Sequence, residues 1–391
     1  MLPILIVGAG VVGLTLAQGL KKRGIPFLIF ERDKDAEARV QGWGLTLHWC
    51  LDSLYETLPE ELHEKILDVQ VDPEQGRVDK GNFLYLNTLT GETVWKIPPS
   101  RRLRLKRESF RRLLMQGIDI QFGKTFASFE ILPDGVAAHF ADGSSVKGSL
   151  LIGADGSNSN VRKQLCPETH QLQQLPIRFT GVSYEVSEEA VSPLRKIDPL
   201  LFQGTNPETN DYLWFSILDV PATNGGDHYT IQVNVSWPVK SPADEVKSSS
   251  EERLANMKRR GAALAEPMRS VILDIPEGTH VTEVKLADWP CLEWEGRGRV
   301  TLIGDAAHAM TMYRGEAANH GIMDAHRIYM MLQRCWNDPS RLEEELEEQE
   351  AEMRKRTAPA VLLSRQACID AHDWSRLKEG SPVLAKRVIQ S

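Results

Sequence analysis

Three short, mainly apolar runs lie far apart in the chain, and each has the length of a buried strand in a parallel sheet. They cover residues 2–7, 150–152 and 300–303, and a glycine follows each one directly. Buried parallel strands need cover on both faces. The pattern therefore predicts a parallel sheet sandwiched between helices.

The first run opens a strand–helix–strand unit. Apolar residues recur at helical spacing over 14–20, Gly24 ends the helix, and residues 27–31 form the next strand. Further helices are predicted near 51–58 and over 108–115. The first part of the chain therefore has the start of a nucleotide-binding fold.

Residues from about 171 to 286 follow a different pattern, in which apolar and polar positions alternate. The alternation over 229–237 predicts an antiparallel strand with one solvated face. The polar stretch 240–253 predicts an exposed loop that enters a helix, and 252–272 predicts helical structure. This region is expected to be an inserted sheet.

Gly8, Gly10 and Gly13 follow the first strand at the spacing of a dinucleotide-binding turn. Such glycines allow a tight turn, close approach of backbone to a pyrophosphate, and close helix–strand packing. Glu31 ends the second strand, where a carboxylate can accept both hydroxyls of an unphosphorylated ribose. This motif alone does not distinguish NAD from FAD.

Asp305 ends the last apolar run and has Gly304 and two alanines beside it. A carboxylate with such small neighbours suits the hydroxyls of a flavin's ribityl chain. Asp155 follows the 150–152 run in the same way. Three such junctions predict an FAD site that extends from the opening turn to Asp305.

Composition narrows the class of protein. Among 391 residues, 54 are acidic and 46 basic, and this net charge of −8 argues against a nucleic-acid partner. The five cysteines are scattered without metal-ligand spacing, which predicts no metal site and a reducing compartment. The first strand starts at Leu2 and no apolar run has membrane-spanning length. We expect a cytoplasmic protein without a transmembrane segment.

One basic segment, 101–107, alternates charged and apolar residues. The alternation predicts a strand that enters a helix, with its charged side chains in solvent.

The three junctions together resemble the class A flavoprotein monooxygenases, the single-component hydroxylases of the p-hydroxybenzoate and salicylate hydroxylase type. The resemblance includes 159–162 after the second junction and 314–319 after the third, and it spans the whole chain in the same order. Residues 41–49 resemble most the fungal, salicylate-hydroxylase-like branch.

The resemblance implies a role in cofactor binding for residues along the whole chain. These are Gly8, Gly10, Val12, Gly13, Glu31, Arg32, Arg39, Arg107, Asp155, Gly156, Arg162, Gly304, Asp305, Gly315, Ala317, Ala318 and Asn319. The loop over 312–319 would pass the isoalloxazine ring, with backbone N–H groups facing its pyrimidine edge.

The expected fold is α/β: a Rossmann-like FAD-binding domain interrupted by a mostly antiparallel β-sheet substrate domain, with C-terminal helices. The FAD-binding domain would comprise 1–70, 101–170 and 286–335. The substrate domain would comprise 71–100 and 171–285, and the helical extension 336–391.

The resemblance also implies the reaction. NAD(P)H would reduce the flavin, O2 would add to form a C4a-hydroperoxyflavin, and one oxygen would pass to an aromatic or polyketide- or indole-type small molecule, most often as hydroxylation. Epoxidation and Baeyer–Villiger insertion stay open, as do NADH against NADPH and monomer against homodimer. Side chains that could activate the substrate are His48, Tyr184, Tyr229 and Arg314, with Tyr212, His228 and His320 also candidates by position.

Two positions depart from the family pattern: Met312 stands where many relatives have proline, and Ala317 where they have glycine. A catalytically silent FAD-binding protein is the alternative that these departures favour. A monooxygenase with two dinucleotide-binding motifs is disfavoured because no second GxGxxG occurs mid-chain.

Overall fold

The computed structural model describes residues 2–38 and 42–388. Its strands are β1 (Ile4–Val7), β2 (Phe27–Phe30), β3 (Gly44–Leu47), β4 (Phe83–Asn87), β5 (Thr93–Ile97), β6 (Leu103–Lys106), β7 (Ile120–Gln121), β8 (Phe126–Leu132), β9 (Gly135–Phe140), β10 (Ser145–Gly148), β11 (Leu150–Gly153), β12 (Gln173–Gln174), β13 (Ile177–Val186), β14 (Leu201–Thr205), β15 (Tyr212–Asp219), β16 (Tyr229–Pro238), β17 (Thr282–Glu283), β18 (Ala287–Asp288) and β19 (Val300–Leu302).

The α-helices are α1 (Val11–Arg23), α2 (Leu51–Thr57), α3 (His63–Asp68), α4 (Pro73–Val78), α5 (Arg107–Leu114), α6 (Asn160–Leu165), α7 (Glu188–Ile197), α8 (Pro221–Asn224), α9 (Ser250–Gly261), α10 (Met268–Leu273), α11 (Asp305–His308), α12 (Ala317–Cys335) and α13 (Leu342–Ala371).

The three apolar runs of the sequence lie side by side in one parallel sheet. Its strand order is β19-β11-β1-β2-β7, and every neighbouring pair is parallel. Both faces are covered, since Ile4, Leu5 and Ile6 have no solvent exposure. The predicted helix of the opening unit is α1, which Gly24 ends in the left-handed conformation at φ 70°.

The inserted region forms a second sheet of seven strands in the order β17-β13-β16-β15-β14-β4-β5. The long neighbours β13, β16 and β15 are antiparallel, as predicted, whereas β14 and β4 pair in parallel. The predicted fold class is confirmed: an α/β nucleotide fold, an inserted and mostly antiparallel sheet, and helices toward the C-terminus.

The helical structure predicted over 252–272 is divided between two helices. The segment 252–272 is not continuous, because α9 ends at Gly261 and α10 begins at Met268. Pro267 stands between them and cannot donate the backbone hydrogen bond that a continuous helix needs. The two short helices pack together behind the seven-stranded sheet.

For the basic segment 101–107, the predicted strand and helix are confirmed, but the predicted exposure of all its charged side chains is not. Residues 103–106 form β6, which leads directly into α5. Arg102 and Arg104, however, are buried and not in solvent. Within the described residues, no helix has the length and apolar character needed to cross a membrane.

Candidate functional site

Four predicted residues lie along a single edge of the parallel sheet. Because neighbouring strands are parallel, their carboxyl ends bring Asp305, Asp155, the Gly8 turn and Glu31 together in that spatial order. All four line one cleft of about 920 Å³, including the space open to solvent. A site that sequence analysis assembled from distant segments is therefore contiguous in space.

The glycines of the opening turn have different structural roles. Gly8 has φ +110°, and a side chain there would meet the backbone of Ala154. A Cβ on Gly13 would clash with the carbonyl oxygen of Gly8, while one on Gly10 would meet nothing within 4 Å. Gly10 lines the cleft, so its missing side chain leaves open space at the start of α1. Such space is what a pyrophosphate group requires there.

The turn is held by two side chains from elsewhere in the fold. Glu31 accepts a hydrogen bond from the backbone N–H of Ala9 at 2.9 Å. Arg111 donates from Nε to the carbonyl oxygen of Ala9 at 2.9 Å. Arg111 was not predictable from the sequence, because its position on α5 has no motif around it.

Asp155 and Asp305 bring two carboxyl groups into the cleft. Oδ2 of Asp155 accepts from the backbone N–H of Asn160 at 2.7 Å, while its buried Oδ1 has no hydrogen-bond partner among the described residues. Asp305 is exposed to the open cleft, and desolvation by the cleft walls raises its pKa, opposed by the charges of His308 and Arg107. Burial likewise raises the pKa of Asp155. Ligand hydroxyl groups would satisfy both carboxyls.

The predicted arginines separate into two groups. Arg32 and Arg107 line the cleft. Arg162 lies behind it, donates to the carbonyl oxygens of Asp305 at 3.2 Å and Ala306 at 3.0 Å, and stacks on a tryptophan ring. Arg162 thus positions the turn at Asp305 and is not itself a lining residue.

Other predicted residues support the turns or fall elsewhere. Val12 packs against Gly304, which has φ +61°. Gly156 lines the cleft. Arg39 and Gln41 lie outside the described residues.

A buried network of charged side chains holds the turn that carries Asp305. Oδ2 of Asp324 accepts from the backbone N–H of Gly304 at 2.8 Å and lies 2.6 Å from Nε2 of His308. Its Oδ1 accepts from Arg356 at 2.7 Å. Burial opposes ionisation of Asp324, but His308 and Arg356 outweigh it and hold the pKa of the carboxyl well below its usual range. The sequence offered no signal for this network beyond the histidine of the motif.

A second cavity opens where the loop over 312–319 meets the seven-stranded sheet. It measures about 1020 Å³ with its open space, and Gly315, Ala317 and Ala318 form one wall. Asn319 ties this loop to β3: its Oδ1 accepts from the backbone N–H of His48 at 2.9 Å, and its Nδ2 donates to the carbonyl oxygens of Thr46 and Gly315 at 3.1 Å each. Asn319 is thus a positioning residue for the wall.

The opposite wall comes from alternate residues of the inserted sheet. On β15, Tyr212 and Trp214 line the cavity, whereas Phe215 points away into the core behind the sheet. Phe179 and Trp43 complete an apolar and aromatic surface, and we call this second cavity the aromatic cavity. Such a surface is suited to a flat aromatic ligand.

Two catalytic candidates lie elsewhere. Tyr184 donates its hydroxyl hydrogen bond to the carbonyl oxygen of Val271, and both it and Tyr229 belong to the core behind the sheet. On β13, the cavity-lining Phe179 and the core residue Tyr184 lie on opposite faces because side chains alternate. These two tyrosines cannot contact a ligand in the cavity.

Two further positional candidates are not among the residues that line it. His228 is near Glu185, with 3.4 Å between Nε2 and a carboxylate oxygen. His320 is buried against Arg356, at 2.9 Å.

His48 and Arg314 do lie at the site. Both line a smaller chamber of about 520 Å³, including the space open to solvent, that shares Thr46, Trp214, Met312 and Gly315 with the aromatic cavity. Burial, together with the nearby Arg387 and Arg314 charges, lowers the pKa of His48 to about 3. His48 is therefore a neutral hydrogen-bonding group at neutral pH.

Comparisons with known proteins define the class of this molecule. A family model described as "FAD binding domain" matches residues 1–361. A "Probable FAD-dependent monooxygenase" of Arthroderma benhamiae is 41% identical over 408 residues, which cover 98% of this chain and 95% of that one. The FAD-dependent monooxygenase dbaB of Emericella nidulans is 44% identical over 349 residues, 86% of this chain and 88% of that one.

Solved structures have the same fold. The 2,6-dihydroxypyridine-3-hydroxylase of Arthrobacter nicotinovorans superposes with a TM-score of 0.78 at 18% identity, over 100% of this chain and 98% of that one. Klebsiella pneumoniae HpxO, complexed with FAD and uric acid, gives 0.76 at 22% identity, over 98% and 92%.

The chain belongs to the FAD-binding family, and within it to the class A flavin monooxygenases of the salicylate hydroxylase type. It is an FAD-dependent monooxygenase, an oxidoreductase whose cofactor is FAD and whose family uses NAD(P)H as reductant. The open space at Gly10 and the unsatisfied oxygen of Asp155 fit that cofactor.

Proposed function

We propose that one FAD spans the cleft and the aromatic cavity, and that the chain hydroxylates an aromatic or polyketide-type small molecule bound beside it. The adenine half would lie at Gly10 and Glu31, the ribityl chain at Asp305, and the ring at Gly315. The observation that supports this most is the shared sheet edge, which brings Glu31, Asp155 and Asp305 to one cleft.

Bound FAD supplies the redox chemistry, namely acceptance of a hydride from NAD(P)H and activation of O2. The residues of the protein would bind the cofactor, orient the substrate and exclude water from the site. Ala317 and Ala318, the first residues of the 19-residue helix α12, line the cavity, and the positive end of that helix would favour negative charge on the reduced cofactor.

The substrate is proposed to lie between the loop over 312–319 and the sheet. Trp43, Phe179 and Trp214 would cover its faces and exclude water from the reacting atoms. With Tyr184 and Tyr229 in the core, the catalytic candidates that line the proposed substrate space are His48, Arg314 and Tyr212. The lowered pKa of His48 makes it a hydrogen-bond partner and a poor base.

We propose the division into a cofactor part and a sheet part as in the sequence analysis, with one addition. The segment after α13 contributes Arg387 to the smaller chamber, so the C-terminal extension also shapes the substrate site. NADH or NADPH as the reductant, a monomer or homodimer, and a cytoplasmic location stay predictions.

The test is a screen of purified protein reconstituted with FAD. NAD(P)H oxidation is followed with and without each member of an aromatic panel, and products are identified by mass. A substrate-stimulated rate and a product heavier by one oxygen atom would support hydroxylation. Bound flavin that NAD(P)H does not reduce with any panel member would favour the silent FAD-binding alternative.

A further inference from the structure

The aromatic cavity and the smaller chamber meet at a short stretch of common wall. Four residues line both spaces, namely Thr46, Trp214, Met312 and Gly315. A ligand that extends from one space into the other has to pass them. Their side chains therefore decide whether the two spaces act as one binding site or as two.

Three of these four residues are held in place or have no side chain. Oγ1 of Thr46 accepts a hydrogen bond from Arg104 at 3.0 Å. The Trp214 ring contacts the same guanidinium, 5.6 Å from the ring centroid, and the Phe83 ring, whose centroid is 5.9 Å away. Gly315 has no side chain that could open or close a passage.

Met312 differs, because much of its side chain is uncovered. It is 42% exposed, whereas Thr311, Tyr313 and Arg314 beside it are 5% exposed or less. A methionine side chain is unbranched, has three rotatable bonds and adapts to the space around it. Met312 can therefore change rotamer without displacing its neighbours in the chain.

The backbone around Met312 is fixed on both sides. Oγ1 of Thr311 donates to the carbonyl oxygen of Ser364 at 2.8 Å, and Oγ of Ser364 donates back to the carbonyl oxygen of Thr311 at 2.7 Å. The Tyr313 hydroxyl donates to Oγ of Ser236 at 2.8 Å. A movement at this position is thus confined to the side chain and does not require the loop to move.

We propose that Met312 is a specificity-determining residue, a movable divider between the aromatic cavity and the smaller chamber. This inference rests on the proposed function, because it places the substrate in the aromatic cavity. It adds the length of the substrates that the enzyme accepts. Compact aromatics occupy the aromatic cavity alone, and longer ones displace the Met312 side chain and extend into the smaller chamber.

The chemistry of the side chain suits this role. A thioether is polarisable and makes favourable contacts with aromatic rings. A long aromatic ligand that displaces Met312 can therefore pack against it in its new rotamer.

A purely structural role is the competing explanation. In that case Met312 only fills space beside the loop, and its replacement changes the binding of short and long ligands by the same factor. Two probes that differ only in length separate the two explanations.

The experiment uses the FAD-loaded enzyme and the probes 2-naphthol and 6-phenyl-2-naphthol. The probes share their hydroxyl group and their fused rings, and the long probe adds one phenyl group. Binding is followed through the absorbance of the bound flavin. The quantity compared is the ratio of the affinity for the long probe to the affinity for the short one.

Two variants change the divider in opposite directions. Met312→Ala removes the side chain beyond Cβ and should raise the ratio by about tenfold or more, as apolar groups that gain or lose a fitting pocket imply. Met312→Phe places a bulky, stiff ring in the passage and should lower the ratio by a similar factor. The affinity for the short probe should stay within about twofold in both variants.

The control is Leu362→Ala, which removes an exposed apolar side chain of α13 that lines neither space. Its affinity ratio should equal that of the parent.

A crystal structure of the parent with FAD and the long probe gives a second measurement that no variant affects. We expect the phenyl group in the smaller chamber, Met312 in a changed rotamer, and the backbone of 311–315 in its present position. A phenyl group directed elsewhere, with the Met312 rotamer unchanged, would overturn the inference.

Three binding results would also overturn it: a parent-like ratio in both Met312 variants, an equal change of both probes, or an FAD-loaded parent that binds neither probe. If a variant does not retain FAD, the crystal structure of the parent decides. Failure of the proposed function is seen separately in the NAD(P)H oxidation screen, since the binding ratios do not depend on turnover.

Discussion

Two glycines of the opening turn allow the fold and the cofactor site to be perturbed separately. Gly10→Ala adds a Cβ that meets no atom within 4 Å, whereas Gly13→Ala adds one closer than 3.0 Å to the Gly8 carbonyl oxygen. Gly10 has φ −80°, which alanine adopts without strain. The same substitution is therefore harmless to the chain at one position and crowded at the other.

The expected magnitudes follow from these geometries. Alanine at position 10 should leave the apoprotein as stable as the parent, or more stable by about 0.4–1 kcal/mol, because its unfolded chain has less freedom. Its methyl group would occupy the space proposed for the pyrophosphate, at a cost of about 1–3 kcal/mol in FAD binding. Alanine at position 13 should lower apoprotein stability by about 1–3 kcal/mol or more, since backbone must shift.

The assay combines denaturant unfolding of the apoproteins with FAD titration followed by flavin fluorescence. Gly10→Ala should weaken FAD binding roughly 5- to 150-fold with no loss of stability. Parent-like FAD affinity in Gly10→Ala would refute the placement of the pyrophosphate. A stable Gly13→Ala apoprotein would refute the steric argument for the turn.

Three further predictions concern the cleft and its support. Asp305→Ala should lose FAD while the apoprotein stays folded by circular dichroism, and full flavin occupancy would contradict its contact with the ribityl chain. Asp324→Asn should lower the free energy of unfolding by about 3–5 kcal/mol, because it leaves His308 and Arg356 without their buried partner; denaturant unfolding close to that of the parent would contradict this. Burial lowers the pKa of His372 from 6.5 to about 4, so the unfolded chain gains a proton first as pH falls. Stability should therefore decrease from pH 6.5 toward 4, and His372→Gln should flatten that decrease by up to about 1.4 kcal/mol per pH unit in unfolding curves; an unchanged slope would show that His372 does not contribute.

The cofactor cleft was predictable because its residues follow from strand order. Each of Gly8, Asp155 and Asp305 ends an apolar run, and parallel strands bring their carboxyl ends to one edge. This inference requires no knowledge of contacts between residues distant in the sequence. Arg162 and Asp324 act through neighbouring residues, and such roles depend on packing. Asp324 was not predicted, and Arg162 was predicted to bind the cofactor directly.

The substrate side was less accessible from sequence. Whether Trp214 or Phe215 faces the cavity depends on which face of β15 packs on the core, and the alternation alone leaves that choice open. Arg102 looked like a solvated charge because its partner Asp79 has no sequence motif. Arg387 could not be placed at all, since only the folded C-terminal segment brings it to the chamber beside His48.

A crystal structure of the protein with FAD tests the central claim most directly. The account predicts one FAD per chain, with the Glu31 carboxylate within about 2.6–3.2 Å of the ribose hydroxyls and Asp305 at the same separation from the ribityl hydroxyls. An FAD molecule bound elsewhere, or a complex in which Glu31 and Asp305 face separate cavities, would contradict it.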